Sequence, residues 1–469
     1  MNLPIMPSGM ETFLLNFLCI LIAIGITLFL CVSKFKNHKN KKRLIIFFFS
    51  LLIFIVIYIV AFLVSNIIGQ DQVYKQFAKM STKGIPTYIN SIAPVIPKEK
   101  SDNAIYFYEA AKSLIPYQTS SQIFKLSTPY TSPFDIAEWK EEDRKTALQL
   151  LADKEIDLIF GLFHQGAEKS LAVYQRDYTK GFEILLPELS TQRSLFWLLQ
   201  MKSSALGLDG KTSEGYALIY DGLRLVKQLE SDPILIAQLV NLACISIDID
   251  TMNFLLEHNG IDDKAAKHLL SILEQIDINR SILRAVDGDR LLTELVFEWF
   301  IKGDTRLENF MSTFTYKCYL FKPGMKIVAS FFFYWDYNYF LTYMLKIRGL
   351  FSEPYWKVAD KIKELDIEHK NIPLYYPISK TIMPALSQTK VKTAKTESEI
   401  ACAKVKLALH IYKNEHGEFP EKLEQLSKIL TVIPVDPMTG NALSYSKDGT
   451  SFKLSCTWLD EKAKKAIKK

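Results

Sequence analysis

Lys34–Arg43, KFKNHKNKKR, is a short basic stretch between two long apolar runs, and its reading decides how the chain is arranged. Before it stands Phe13–Ser33, FLLNFLCILIAIGITLFLCVS, and after it Leu44–Ile68, LIIFFFSLLIFIVIYIVAFLVSNII. A helix needs roughly 20 predominantly apolar residues to cross a bilayer core, and only a helix satisfies its own backbone there. Both runs are therefore expected to be transmembrane helices. The stretch between them carries Lys34, Lys36, Lys39, Lys41, Lys42 and Arg43, whereas the residues before the first run carry only Glu11. Positive charge stays on the cytoplasmic side. The expected topology is a two-pass anchor in the inner membrane, with the loop inside and both the N-terminus and everything after Ile68 outside. A cleaved signal peptide fits less well, since no Lys or Arg precedes the first run, which ends in Cys31-Val32-Ser33.

That placement removes most of the meaning of the net charge of +6. With the six basic residues and one acidic residue of the first 43 set aside, the chain's 57 and 51 become 51 against 50. A near-neutral outer region has no bulk field to attract nucleic acid. The final DEKAKKAIKK, 460–469, is a basic tail. Of the six cysteines, Cys19 and Cys31 fall in the first run, and no Cys/His spacing suggests zinc. Cys402 and Cys456 are the pair to test for a disulfide, against independent buried thiols.

Past the anchor, 1–70, the segment 71–100 reads as a linker because Pro86, Pro94 and Pro97 discourage a long helix. Helical spacing then recurs over 101–370. It is clearest in Pro187–Leu208, Thr212–Leu229, Ile234–Leu256 and Ile261–Ile276, joined by short Gly- or Pro-containing connections. The expectation is an extracytoplasmic α-helical array with tetratricopeptide-like packing. Within it, Arg280–Ile301 places Arg290, Glu294 and Glu298 four residues apart on one face, with Arg284, Asp287 and Asp289 nearby. Two readings stand: a carboxylate site for acid–base or metal chemistry on the Arg284–Glu298 helix, or a charge ladder on a solvated face or between helices. The aromatic block Phe331–Tyr343, FFFYWDYNYFLTY, is either core or a face lying in the headgroup layer; Asp336 and Asn338 argue against a third span.

After a linker at 371–396, residues 397–459 form a small α+β module. Glu399–His416 is an amphipathic helix ending at Gly417, Glu421–Leu430 is a short helix, Pro434–Gly440 is a rigid turn, and Ala442–Tyr445 with Ser451–Cys456 is a hairpin. LALHIYKNEHGEFPEKLEQL followed by IPVDPMTGNALSYSKDGTSFKLS resembles the C-terminal half of type II secretion major pseudopilins. Tyr412, Gly417, Phe419, Pro420, Leu423, Leu426, Pro434, Asp436, Pro437, Gly440 and Tyr445 carry the likeness, which spans about the last seventh of the chain. The chain departs from that pattern in having two apolar runs and more than 300 residues ahead of the module. It also lacks the calcium loop, with only Asp460 and Glu461 after Thr457-Trp458-Leu459. With the segments NAIYFYEAA at 103 and LPELSTQRSLFWLLQMKSSALGLDGKTSEGYALIYDGLRLVKQL at 186, the whole resembles a family of uncharacterised bacterial membrane-anchored helical proteins.

No GxSxG, HExxH, Walker A or strand-bound GxGxxG is present. The seven histidines form no shared motif; His410 and His416 are six residues apart and on different faces of their helix. Asp436-Pro437 is explained by turn geometry. The expectation is a mainly α, non-enzymatic scaffold or protein-interaction protein of the bacterial cell envelope, with no cofactor, no metal and a protein partner. The alternatives are an accessory of a type II secretion or pilus-like machine, and an enzyme with its site on the Arg284–Glu298 helix.

Overall fold

A computed structural model describes residues 38–114, 139–306, 331–383 and 386–467. The first expected span, Phe13–Ser33, lies outside the described residues, as do Lys34 and Lys36.

The second run folds as expected but does not stop where expected. Helix α1 spans His38–Thr82, so Lys39, Lys41, Lys42 and Arg43 form its opening turns rather than a loop, and 71–82 continues it rather than linking. Within it Gly69 is the one glycine and there is no proline, and the chain turns at Gly84, whose φ of 63° suits glycine. The three prolines that suggested a linker all lie beyond the helix end. Most side chains from Ile46 to Val60 are exposed, as on a lipid-facing helix, while Phe62, Asn66, Val73 and Met80 are buried. This lower-to-upper change marks where α1 starts to pack against protein.

The described chain is mainly helical. It continues through α2 (Ile105–Ser113), α3 (Glu141–Leu151), α4 (Lys154–Ala167), α5 (Glu188–Leu208), α6 (Thr212–Gln228), α7 (Leu235–Asn259), α8 (Asp263–Gln275) and α9 (Ile278–Lys302). Then follow α10 (Phe333–Phe351), α11 (Tyr355–Lys370), α12 (Pro377–Ile382), α13 (Ser387–His416), strands β1 (Ser444–Asp448) and β2 (Ser451–Ser455), and α14 (Thr457–Ile467). Helix α5 packs on both α6 and α7, α6 also on α8, and α9 on α7 and α10. Besides α1, α7 is long and apolar enough to cross a membrane, yet most of it is buried inside the protein, as in a core helix.

The aromatic block is core along most of its length. Phe333, Tyr334, Tyr337, Phe340 and Met344 are fully buried between α1 and α9. Phe297 stacks on Tyr337 with centroids 4.5 Å apart, and Phe300 stacks on Phe333 at 5.3 Å. Buried Asp336 accepts hydrogen bonds from the Ile378 and Ser379 amides at 2.8 and 3.1 Å, which caps α12.

The segment 371–396 is not a linker. It holds α12 and the first third of α13, which packs along α7, α8 and α11. SQTKVKTAKTESE looks like solvated polar chain, yet Ser387, Thr389, Thr393, Thr396 and Ser398 are buried. Thr393 and Ser398 donate to the carbonyls of Thr389 and Ala394, so short hydroxyl side chains are satisfied by their own helix. Lys390, also buried, donates to the Phe351 carbonyl at 3.1 Å. The expected boundary at 396/397 falls inside one continuous helix, and the terminal module is built onto the array.

Candidate functional site

Among the described residues, the charged face of α9 and a groove beneath the terminal hairpin are two places that concentrate polar side chains.

On α9, the solvated-ladder reading is corrected for its central members, because Asp287, Arg290 and Glu294 are all buried. Arg290 pairs with Glu294 and donates to the Pro86 carbonyl, while Glu294 accepts from the Tyr337 hydroxyl at 3.3 Å. Arg284 donates to the Ile92 carbonyl at 2.6 Å. Asp287 receives Arg348 Nε at 2.9 and 3.0 Å. Burial lifts the carboxyls of Asp287 and Glu294 above their ordinary range, against the pull of Arg348 and Arg290 respectively. Burial also pushes Asp289 up to about 6. Raised carboxyls alone would suit acid–base work, but Asp287, Arg290 and Glu294 are committed to structural partners. Arg284 and Arg290 clamp the segment leaving α1 across α9, and α10 is tied on by Asp287–Arg348.

The groove is formed where the hairpin stands against α7 and α13, and it encloses about 840 Å³. One wall is helical: Asn253, Leu256 and Glu257 from α7, and Lys406, His410 and Lys413 from α13. The other is the hairpin, with Ser444 and Ser446 of β1 and the whole of Ser451–Ser455 of β2. A second recess of about 420 Å³ continues past His410 and Lys413 to the α7–α8 connection at Gly260–Asp262. Lys406 Nζ donates to Asn253 Oδ1 at 2.9 Å, and Lys413 lies 4.7 Å over the Phe419 ring. Burial, then Lys413 and Lys406, press His410 down to about 4, so its imidazole is neutral near pH 7. Phe419 and Phe452 stand edge-on around it, at 5.7 and 6.1 Å.

Strand β2 pairs antiparallel with β1, Tyr445 opposite Leu454 and Lys447 opposite Phe452. Among the described residues it has no second neighbour. An unpaired strand edge presents a row of backbone donors and acceptors, and here consecutive residues of that strand line the groove. Cations and hydroxyls on the facing walls complete a surface suited to a polar, extended ligand. Among the described residues, no group of His, Cys, Asp and Glu could hold a metal ion.

The residues that carry the pseudopilin likeness build this wall from behind. Gly417, at φ 81°, ends α13 in the left-handed conformation. The Tyr445 hydroxyl donates to the Pro420 carbonyl at 2.6 Å, Phe419 packs on Phe452 at 4.8 Å, and Leu423 and Leu426 are buried beneath. Tyr412 stacks on His416 at 4.0 Å. The short helix expected at Glu421–Leu430 is a 3-10 turn, Leu423–Lys428. Pro434 and Pro437 flank Asp436, whose Oδ1 accepts from the Met438 amide at 2.8 Å and whose Oδ2 accepts from the Thr457 amide and hydroxyl at 2.9 and 2.6 Å. Burial works against its charge, but these bonds hold the carboxyl below its ordinary range. Asp436 thus ties the turn to the start of α14. Gly440, at φ 76°, fits against Trp356 of α11, where a Cβ would come within 2.7 Å of the indole. Of the likeness residues, Phe419 alone is among those lining the groove. Cys402 and Cys456 are buried free thiols in hydrogen-bond contact.

Lys406, His410 and Lys413 drew no attention in the sequence as a set. Their spacing of i, i+4 and i+7 on one helix face was the available signal. What faces them arrives some 40 residues later, in the hairpin. No protein-family model, curated protein or solved structure matches the chain.

Proposed function

We propose that this protein is a membrane-anchored, extracytoplasmic scaffold of the bacterial cell envelope that docks an extended segment of a protein partner in the groove between its helical array and its terminal hairpin. In this reading α1 and the run Phe13–Ser33 cross the inner membrane, and the tetratricopeptide-like array carries the groove outward. The observation that carries the reading is the open edge of β2 along the groove, where a partner strand gains main-chain hydrogen bonds. Lys406, Lys413 and Lys453 outnumber Glu257 and Asp460 along the groove, which favours a segment bearing carboxylates.

The test is photo-crosslinking in cells from Ser446, in the groove, and from Ser113, outside it. The reading requires one envelope protein crosslinked from Ser446 and not from Ser113, through an extended segment, with loss of the adduct in K406E/K413E. Secretion or pilus components as that partner would specify an accessory of such a machine. Equal adducts from both positions, or adducts only with cytoplasmic proteins, would overturn the reading.

A further inference from the structure

Resting on the membrane reading above, we propose that the array has a second seat on the bilayer: the edge formed by Phe331, Phe332, Leu374 and Tyr375 lies in the outer headgroup layer of the membrane that α1 crosses.

The depth of this edge follows from α1. At roughly 1.5 Å per residue, a hydrocarbon core of roughly 30 Å takes about 20 residues. A helix held at one headgroup layer by Lys42 reaches the other near Leu63 and Val64. Phe331 touches α1 below that level, with its ring 5.8 Å from Tyr58 and 5.7 Å from Phe62. Just above, Trp335 Nε1 donates to Ser65 Oγ at 3.0 Å, and Tyr334 abuts Gly69. The start of α10 therefore runs alongside the last turns of the span and is held there by side-chain contacts.

The same edge continues sideways. The Phe332 ring lies 5.3 Å from Tyr375 in the connection between α11 and α12. That connection is fixed at this end of α10 by the Asp336 cap on α12. Leu374 and Tyr375 are nonetheless 58% and 47% exposed. A leucine and a tyrosine held out beside a membrane helix, close to the level that its length sets for the outer headgroups, match the preference of apolar and amphipathic side chains for that boundary. Two separated contacts would fix the tilt of the array, and with it the direction in which the groove faces.

The experiment uses the full chain reconstituted in lipid vesicles, with a benzophenone amino acid placed singly at 374, 375, 57 or 432, and lipid adducts read by mass spectrometry after irradiation. Ile57 lies in the exposed part of α1. Val432, 76% exposed, belongs to the terminal module, which Trp356 holds beyond the far end of α10. Adducts at 374 and 375 several-fold above those at 432 are expected. Adducts at 57 with 374 and 375 no higher than 432 would overturn this inference and leave the anchor standing. No adduct at 57 would remove the membrane reading and this inference together.

Discussion

Helices α9 and α13 each carry ionisable groups four residues apart on one face, and the two sets meet opposite fates. On α9, Arg290 and Glu294 are sealed between α1's exit segment and α10, each neutralised by the other and by neighbouring polar atoms. On α13, Lys406 and His410 are half-buried and face open volume. Spacing alone cannot separate these cases, because it fixes which residues share a face and says nothing of what covers it. A charge that is fully enclosed and paired is committed to the fold. A charge at the wall of a groove is free to meet a ligand.

The largest expected effect tests the first half of that contrast. Arg290→Ala leaves Glu294 buried without its partner and frees the Pro86 carbonyl, so it should cost about 3–5 kcal/mol of stability, the range for breaking one side of a buried pair. Denaturant unfolding of the purified protein measures it. The double variant R290M/E294L removes both charges and should recover most of the loss. Recovery would identify the pair as structural; a stable R290A would mean the site is wetter than the structure shows.

A related test concerns the thiols of Cys402 and Cys456, which join α13 to the start of α14. If this region lies outside the cytoplasm, membranes isolated without reductant should yield this pair as a disulfide, detected after unfolding in denaturant as resistance to alkylation until reduction. Its reduction should cost about 2–4 kcal/mol. Alkylation of both thiols when untreated cells are unfolded in denaturant would place the module on the reducing side and break the proposed topology.

Gly222 of α6 lies against Asp248 of α7, where an added Cβ would come within 2.4 Å of Oδ2. Gly222→Ala should therefore destabilise by about 1–3 kcal/mol, as overpacking does. Asp248 is fully buried and neither carboxyl oxygen has a hydrogen-bond partner, so burial raises its pKa well above the ordinary value of 3.8. Folded protein then keeps a proton that unfolded protein releases above about pH 4. The sign follows: this group's stability contribution is complete below that pH and is lost as pH rises towards the folded pKa, by about 1.4 kcal/mol per pH unit. Asp248→Asn should flatten the decline in unfolding free energy between pH 4 and 7, which denaturant titrations at several pH values would show.

How far the fold was legible follows the same line between local pattern and what covers it. The helices from Pro187 to Ile276 and the hairpin were visible because their apolar periodicities and Gly or Pro stops are local. The end of α1 was misplaced because three prolines outweighed the spacing of Val73, Phe77 and Met80, whose partner, α10, is some 260 residues away. The start of α13 was missed because buried threonines and serines bonded to their own helix look like solvated chain. The residues on which the pseudopilin resemblance rests form the frame of the groove and not its lining, Phe419 excepted. The lining needs Glu257, Lys413 and Lys453 brought together from α7, α13 and β2, which no local pattern announces.

The smallest expected effect on stability tests the second half of the contrast. Lys413 lies over Phe419 at the groove wall and on the recess beyond it. Lys413→Ala removes a partly exposed cation whose packing on one ring contributes modestly, so unfolding should shift by no more than about 1 kcal/mol. A binding role predicts a different profile: an unchanged unfolding curve alongside severalfold weaker crosslinking from Ser446, with salt sensitivity reduced relative to the unaltered chain. Arg290→Ala should instead lower stability and crosslinking together, whereas R290M/E294L, which lacks both buried charges, should keep most of both. If Lys413→Ala instead destabilised the protein as strongly as Arg290→Ala, the groove cations would belong to the fold after all, and the distinction between the two helices would fail.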